Sequence, residues 1–187
     1  MTLTRTIDQT AVPAAGTWSL DPAHTTVTIT ARHLMVTKVR GTFPEISGEI
    51  KVTDDPAESS VVFTAAAASI ATGVADRDNH LRSPDFLDVA NYPEIRFEST
   101  GLEPDDGAWK LTGDLTIRDV TIPVTFDLAF EGAVTDPMGN SKSFFTAHGE
   151  IDREDWGLTW NVPLDGGGVL VSRHFQIDVE AQAVLRS

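Results

Sequence analysis

The densest cluster of polar side chains that could do chemistry lies between residues 77 and 82. It contains Arg77, Asp78, His80 and Arg82. Guanidinium groups bind phosphate oxygens through paired hydrogen bonds, so this cluster could hold a phosphate or another polar group of a ligand. The alternative is structural: Asp78 pairs with one of the arginines and His80 satisfies a buried carbonyl. Charges that leave water are usually paired, so the residues alone favour the structural alternative.

Histidines are the other candidates for acid–base or metal chemistry, and the chain has five: His24, His33, His80, His148 and His174. No two of them are spaced three or four residues apart around a carboxylate, and the chain has no cysteine. Those local patterns are typical of zinc sites, so we predict no metal site and no cofactor. His33 shares the parity of Val27 and Ile29, which places it on the core side of a strand.

Acidic, serine and glycine motifs give no catalytic signal. Asp85 and Asp88, or the run over residues 150–155, could supply the carboxylate pair of a glycoside hydrolase. Asp152-Arg153-Glu154-Asp155, however, is typical of a solvated turn between strands. There is no Gly-x-Ser-x-Gly motif, and the glycines of residues 166–168 precede a strand rather than a helix with lysine. We therefore predict no catalytic residue and no enzyme activity.

The net charge limits the partners of the chain. Lys and Arg total 14, Asp and Glu total 28, and the formal net charge is −14. Such a surface repels phosphate backbones and anionic head groups, so we expect no nucleic acid and no stable membrane anchor.

The elements that position these residues are mainly β-strands. From Trp18 onward apolar residues recur at every second position, as Val27, Ile29 and Ala31 do, which is the period of half-buried strands. The same pattern predicts strands over residues 46–52, 61–70, 95–99, 109–117, 122–130, 144–151 and 175–185. One short helix is predicted from Ala75 to Leu81, with acids early and bases late, and Ser83-Pro84 ends it.

Eight or nine such strands favour an all-β antiparallel barrel, with a sandwich as the alternative. An eight-stranded barrel can hold one apolar ligand, or its side chains can fill it. The small residues of the run Ala65–Ala68 would leave space inside, but composition does not separate a filled core from a cavity.

Residues 1–16 are predicted to be a flexible N-terminal tail, and residues 17–187 a single barrel domain. Threonines interrupt every apolar run of the tail, and an Ala/Pro linker over residues 11–15 follows. There is no apolar stretch of the length that a secretory signal or a membrane span needs, so we expect a cytoplasmic location.

Several ordered blocks carry a family resemblance. They include Trp18-Ser19-Leu20-Asp21-Pro22 and Arg77-Asp78-Asn79-His80-Leu81, with further blocks over residues 32–43, 69–73, 92–100, 113–124 and 161–171. In these blocks the chain resembles the YceI-like family, the lipocalin-like polyisoprenoid-binding proteins of bacteria, from about Trp18 to Leu185. It departs from the family pattern at residues 117–121, which lack a His-Gly pair, and at residues 172–175, where the usual loop is more acidic.

The resemblance implies an extended eight-stranded lipocalin-like barrel with a short helical insert. It also implies non-catalytic binding of a long-chain polyisoprenoid or similar amphiphilic lipid, for carriage, storage or sequestration. The residues predicted to line the cavity or its head-group end are His33, Phe43, Phe63, Arg77, His80, Leu81, Arg82, Phe86, Ile95, Phe97, Leu115, Phe126, Phe145 and Trp160.

Two alternatives stay open: a lipid-modifying enzyme with His33 or His80 as general base, and a solid barrel that acts as a stress or interaction protein through an outer patch. A homodimer is a further expectation.

Overall fold

The computed structural model describes residues 2–7 and 10–186. Residues 1, 8 and 9 of the predicted tail and residue 187 of the predicted barrel domain lie outside them. The described residues form twelve strands and one α-helix. These are β1 (Thr4–Ile7), β2 (Thr10–Pro13), β3 (Gly16–Leu20), β4 (Thr26–His33), β5 (Thr37–Thr42), β6 (Ile46–Val52), β7 (Ser60–Ala66), α1 (Ala75–Arg82), β8 (Glu94–Asp105), β9 (Ala108–Ile117), β10 (Val120–Thr135), β11 (Ser141–Asp152) and β12 (His174–Leu185).

The barrel closes because β12, the last strand, pairs with β3 and β4, the first strands of the barrel. β3 and β4 form one bent strand, interrupted by a short 3₁₀ turn, and both pair with the same edge of β12. β5 and β6 form its antiparallel neighbour. Counting each of these two bent strands once, the pairing runs through β7 to β12 and returns to β3 and β4. The prediction of a closed eight-stranded antiparallel barrel is therefore confirmed, and a sandwich is excluded.

Local sequence explains the tight turns. Asp106 and Gly107 join β8 to β9 with φ of +44° and +84°, the left-handed conformation that two-residue hairpin turns require. Arg118 and Asp119 join β9 to β10. The predicted strand over residues 61–70 ends early at Ala66, because a 3₁₀ turn over Ala67–Ser69 follows.

The N-terminal segment differs from the flexible tail that the sequence predicts. β1 and β2 pair as an antiparallel hairpin. The Arg5 guanidinium donates one hydrogen bond to the carbonyl of Pro13 within the hairpin and one to the carbonyl of Thr53, which attaches the hairpin to the barrel. Val12 and Ala14 are buried. The domain boundary at residue 17 stays a prediction.

This hairpin covers one end of the barrel, here called the closed end. Trp18 is fully buried there, and its indole donates to the carbonyl of Ala14. Val52, Phe145 and Ala183 pack around it as a separate apolar cluster. Helix α1 lies at the opposite end, here called the helix end.

Candidate ligand-binding cavity

The barrel encloses an apolar cavity of about 610 Å³. A water molecule occupies roughly 30 Å³ in the liquid. If a methylene group is counted at the same volume, the cavity has room for about 20 of them. Alternation along each strand builds the wall, because every second side chain points inward. Phe175, Ile177, Val179 and Ala181 of β12 follow this rule. The inward-facing Ala65 contributes the small side chain that the alanine run predicted.

All of the predicted site residues except Arg82 line this cavity. They are His33, Phe43, Phe63, Arg77, His80, Leu81, Phe86, Ile95, Phe97, Leu115, Phe126, Phe145 and Trp160. Contact between these residues and a ligand stays a prediction. The β12 residues Phe175, Ile177 and Val179 also line the cavity but are absent from the predicted set, although their period-two spacing was a sufficient signal.

Two phenylalanines lie flat against the wall because glycines on other strands make room for them. A Cβ atom at Gly113 would lie 2.4 Å from Cζ of Phe97, and one at Gly149 would lie 2.6 Å from Cδ1 of Phe126. The two rings meet edge to face with their centroids 5.5 Å apart. This packing keeps both rings out of the centre of the barrel, so it contributes to the free volume.

Thr72 joins the first turn of α1 to the segment that precedes it. Asp78 is buried and accepts hydrogen bonds from the Thr72 amide at 2.9 Å and the Thr72 hydroxyl at 2.5 Å. The Arg77 guanidinium donates to the hydroxyl and the carbonyl of Thr72. Asp78 therefore pairs with Thr72 rather than with an arginine, which corrects the expected ion pair. Arg77 still lines the cavity.

Arg82 has a structural position. Its Nε donates to the carbonyl of Ala68 at 2.7 Å, and a terminal nitrogen donates to that of Ile70 at 2.8 Å. These bonds satisfy one carbonyl of the 3₁₀ turn after β7 and the carbonyl of the residue that follows the turn. The structure therefore does not place Arg82 on the cavity wall, because its donors are directed to the backbone behind it.

His80 is the cavity-wall histidine with a carboxylate partner. Its Nε2 lies 2.8 Å from Oδ2 of Asp85. Its ring meets those of Trp160 and Phe86 edge to face, at centroid distances of 4.4 Å and 5.1 Å. The structural alternative predicted that His80 would bind a buried carbonyl, but its side chain pairs with Asp85 instead.

The turn over residues 152–155 is not fully solvated, which corrects the sequence prediction. Arg153 is completely buried, and its guanidinium donates to the carbonyls of Ser172 and Leu158. Its Cζ lies about 6 Å from the ring centroids of Phe86 and Phe175, which both line the cavity. Burial lowers the pKa of Arg153, but a guanidinium remains charged in proteins.

Charge is unevenly distributed along the cavity wall. Arg32, His33, Asp76, Arg77 and His80 lie at the helix end, whereas the middle of the wall is apolar. Glu49 is a charged residue elsewhere on the wall, and its carboxylate pairs with Arg186. An amphiphile in this cavity would thus meet polar groups mainly at the helix end.

A family model described as "YceI-like domain" matches residues 18–183. The chain belongs to the YceI-like family. Protein YceI of Escherichia coli O157:H7 is 37% identical over 136 residues, covering 72% of this chain and 71% of that protein. A UPF0312 protein of Staphylococcus aureus strain N315 is 32% identical over 170 residues, covering 88% of this chain and 95% of that protein.

The fold is shared with solved structures. A polyisoprenoid binding domain from Saccharophagus degradans, implicated in plant cell wall breakdown, superposes with a TM-score of 0.70 at 14% identity. The match covers 90% of this chain and 98% of that one. Among residues 2–7 and 10–186, no helix is both long and apolar enough to cross a membrane.

Proposed function

We propose that this protein binds a long-chain polyisoprenoid or a similar amphiphilic lipid inside the barrel, without changing it chemically. One observation carries the proposal: a closed barrel surrounds an apolar cavity whose charged residues gather mainly at one end. The roles that we propose for such a protein are carriage, storage or sequestration of the lipid in the cytoplasm.

Burial energetics support this function. A chain of about 20 methylene-sized groups would gain roughly 16 kcal/mol on transfer from water, at about 0.8 kcal/mol for each group. Lost motion of the ligand and the protein offsets about 4–15 kcal/mol of this gain, and the remaining free energy still favours the bound state. Family membership and the polyisoprenoid-binding domain of the same fold support the same ligand class.

The orientation of the ligand belongs to the same proposal. The apolar tail extends toward the closed end, and the polar head lies near Arg77 and His80. Arg77 already donates to Thr72, so its remaining donors provide one or two hydrogen bonds rather than a full phosphate clamp.

The test is to purify the protein without added lipid, extract it with organic solvent and identify the extract by mass spectrometry. We expect a hydrophobic molecule in stoichiometric amount. If the preparation is empty, it should take up added geranylgeraniol. An empty protein that also takes up no geranylgeraniol would refute the proposal.

The His80–Asp85 pair supports a second candidate, a lipid-modifying enzyme. A general base on the wall would need a carboxylate to orient it, and Asp85 lies in that position. Incubating the protein with geranylgeraniol and comparing the lipid before and after by mass spectrometry decides between the two. An altered product that is lost in His80→Gln would favour the enzyme. The cavity itself argues against a solid barrel with only an outer binding patch.

A further inference from the structure

The tip of the β4–β5 hairpin exposes three apolar side chains in succession. Leu34, Met35 and Val36 are 45%, 50% and 73% exposed. Leu34 and Met35 have φ of +52° and +61°, a conformation that large side chains rarely adopt. Glycine or asparagine would suit such a turn better. Neither the turn nor the core therefore explains why large apolar residues stand here.

This tip is continuous with the helix end of the cavity. The amide of Leu34 donates to the carbonyl of Leu170, and the amide of Leu170 donates to the carbonyl of Val162. Val162 is 42% exposed, so it extends the apolar surface beside the tip. His33 and Leu170 line the cavity immediately behind.

Three cations flank the apolar tip. Arg32, Lys38 and Arg40 are exposed, and residues 22–44 contain no Asp or Glu although the whole chain has a charge of −14. Arg32 lies directly opposite Lys38 in the strand register, an arrangement of like charges that costs stability. Among the described residues, no ion pair includes any of the three.

We propose that this hairpin tip docks reversibly on an anionic lipid bilayer and turns the helix end of the cavity toward the membrane. Leu34, Met35 and Val36 enter the head-group region, and the three cations meet lipid phosphates. The remainder of the chain is more acidic still, so its repulsion from the same surface favours this orientation. A symmetric contact with a second copy is disfavoured because it would bring the same cations together.

The biological role of this docking rests on the proposed lipid binding, because a lipid carrier must exchange its ligand with a membrane. It does not depend on what the cavity holds. The negative net charge still opposes a permanent anchor, and three apolar side chains with three cations give only reversible attachment.

The test is sedimentation of the full chain with phosphatidylcholine vesicles, with and without phosphatidylglycerol. We expect binding to the anionic vesicles that falls strongly in 1 M salt, where the Debye length is about 3 Å. Lys38→Glu should lower the partition coefficient about fivefold or more. Its matched control is Lys51→Glu, another exposed strand lysine with the same charge change, and this control should bind as the parent protein does.

The apolar part of the tip is tested with Leu34→Ser, Met35→Ser and Val36→Ser combined, which should abolish sedimentation. Val134→Ser with Met138→Ser is the control, because these residues are also exposed but belong to the β10–β11 hairpin at the closed end. Absence of vesicle binding, unchanged binding of Lys38→Glu, or a dimer that only the triple variant abolishes would each overturn the docking proposal.

Uptake of geranylgeraniol without vesicles, measured on the same variants, separates the two proposals. It should be unchanged in Lys38→Glu. If the protein binds vesicles but takes up no geranylgeraniol, the docking stands and the proposed cavity function fails.

Discussion

Filling the cavity should abolish lipid binding without unfolding the protein. Ala65 on β7 and Ala147 on β11 both face the cavity, and these strands lie on opposite sides of the barrel. Ala65→Phe and Ala147→Phe each add a phenyl ring to the interior. If a ring counts as roughly six methylene-sized groups, the two rings together fill about three fifths of the 610 Å³.

The loss of affinity follows from the lost space. A ligand that can bury about twelve fewer methylene-sized groups loses roughly 10 kcal/mol of transfer free energy. Every 1.4 kcal/mol corresponds to about a tenfold change in affinity, so geranylgeraniol should lose several orders of magnitude in affinity. Each single variant leaves more space and should still accept the shorter farnesol.

The assay is stoichiometric uptake, measured by mass spectrometry after gel filtration, together with thermal unfolding. Thr125→Phe is the control, because Thr125 is exposed on the outer face of β10 and the added ring would not reach the cavity. We expect a Tm close to that of the parent protein for the double variant. A folded double variant that still retains one geranylgeraniol per chain would refute the assignment of the cavity as the binding site.

Three further predictions concern stability. Arg153→Ala leaves two carbonyls unpaired and should lower the free energy of unfolding by about 3 kcal/mol, which corresponds to a Tm decrease of roughly 6–12 °C. Arg153→Met should lower it less. An unchanged Tm for the alanine variant would contradict this prediction. Gly149→Ala should lower the free energy of unfolding, measured with denaturant, by about 1–3 kcal/mol because the new Cβ would overlap the ring of Phe126. Gly101→Ala is the control: Gly101 has free space around it, so its free energy of unfolding should hardly change. Hydrogen bonds from the side chain and backbone of Asn140 hold the pKa of Asp136 below its ordinary value, so Asp136 contributes stability above about pH 4 that is lost as pH falls through its folded pKa. The stability difference between the parent and Asp136→Asn should therefore shrink on acidification, and a constant difference from pH 7 to pH 2 would contradict it.

The barrel could be predicted from the sequence because period-two alternation is a local signal. The parity of His33 with Val27 and Ile29 placed it on the inner face, where the structure has it. The hollow interior could not be derived in this way. It depends on rings such as Phe126 folding against Gly149 of the adjacent strand, a contact between distant residues that no periodicity reveals.

The failed predictions for polar side chains share one cause: the fold decides which hydrogen-bond partners lie within reach, and sequence spacing does not show them. Arg153 belongs to a charged turn, yet its donors reach the carbonyls of Leu158 and Ser172 inside the protein. Arg82 is similar, since the carbonyls of Ala68 and Ile70 bind it. A run of charges indicates a solvated turn only when no buried acceptor lies within reach.

The closing seam of the barrel determines when the protein can finish folding. Ser19 pairs with Val184 and Ile29 with Ile177. β3 and β4 therefore cannot complete their pairing until β12 has formed. During synthesis the edges of β4 and β11 stay open until the C-terminal residues emerge, and open edges promote association between chains. Contacts so far apart in sequence also make folding slow. A chain can consequently retain a ligand only late in folding, because no enclosed interior exists before β12 has paired.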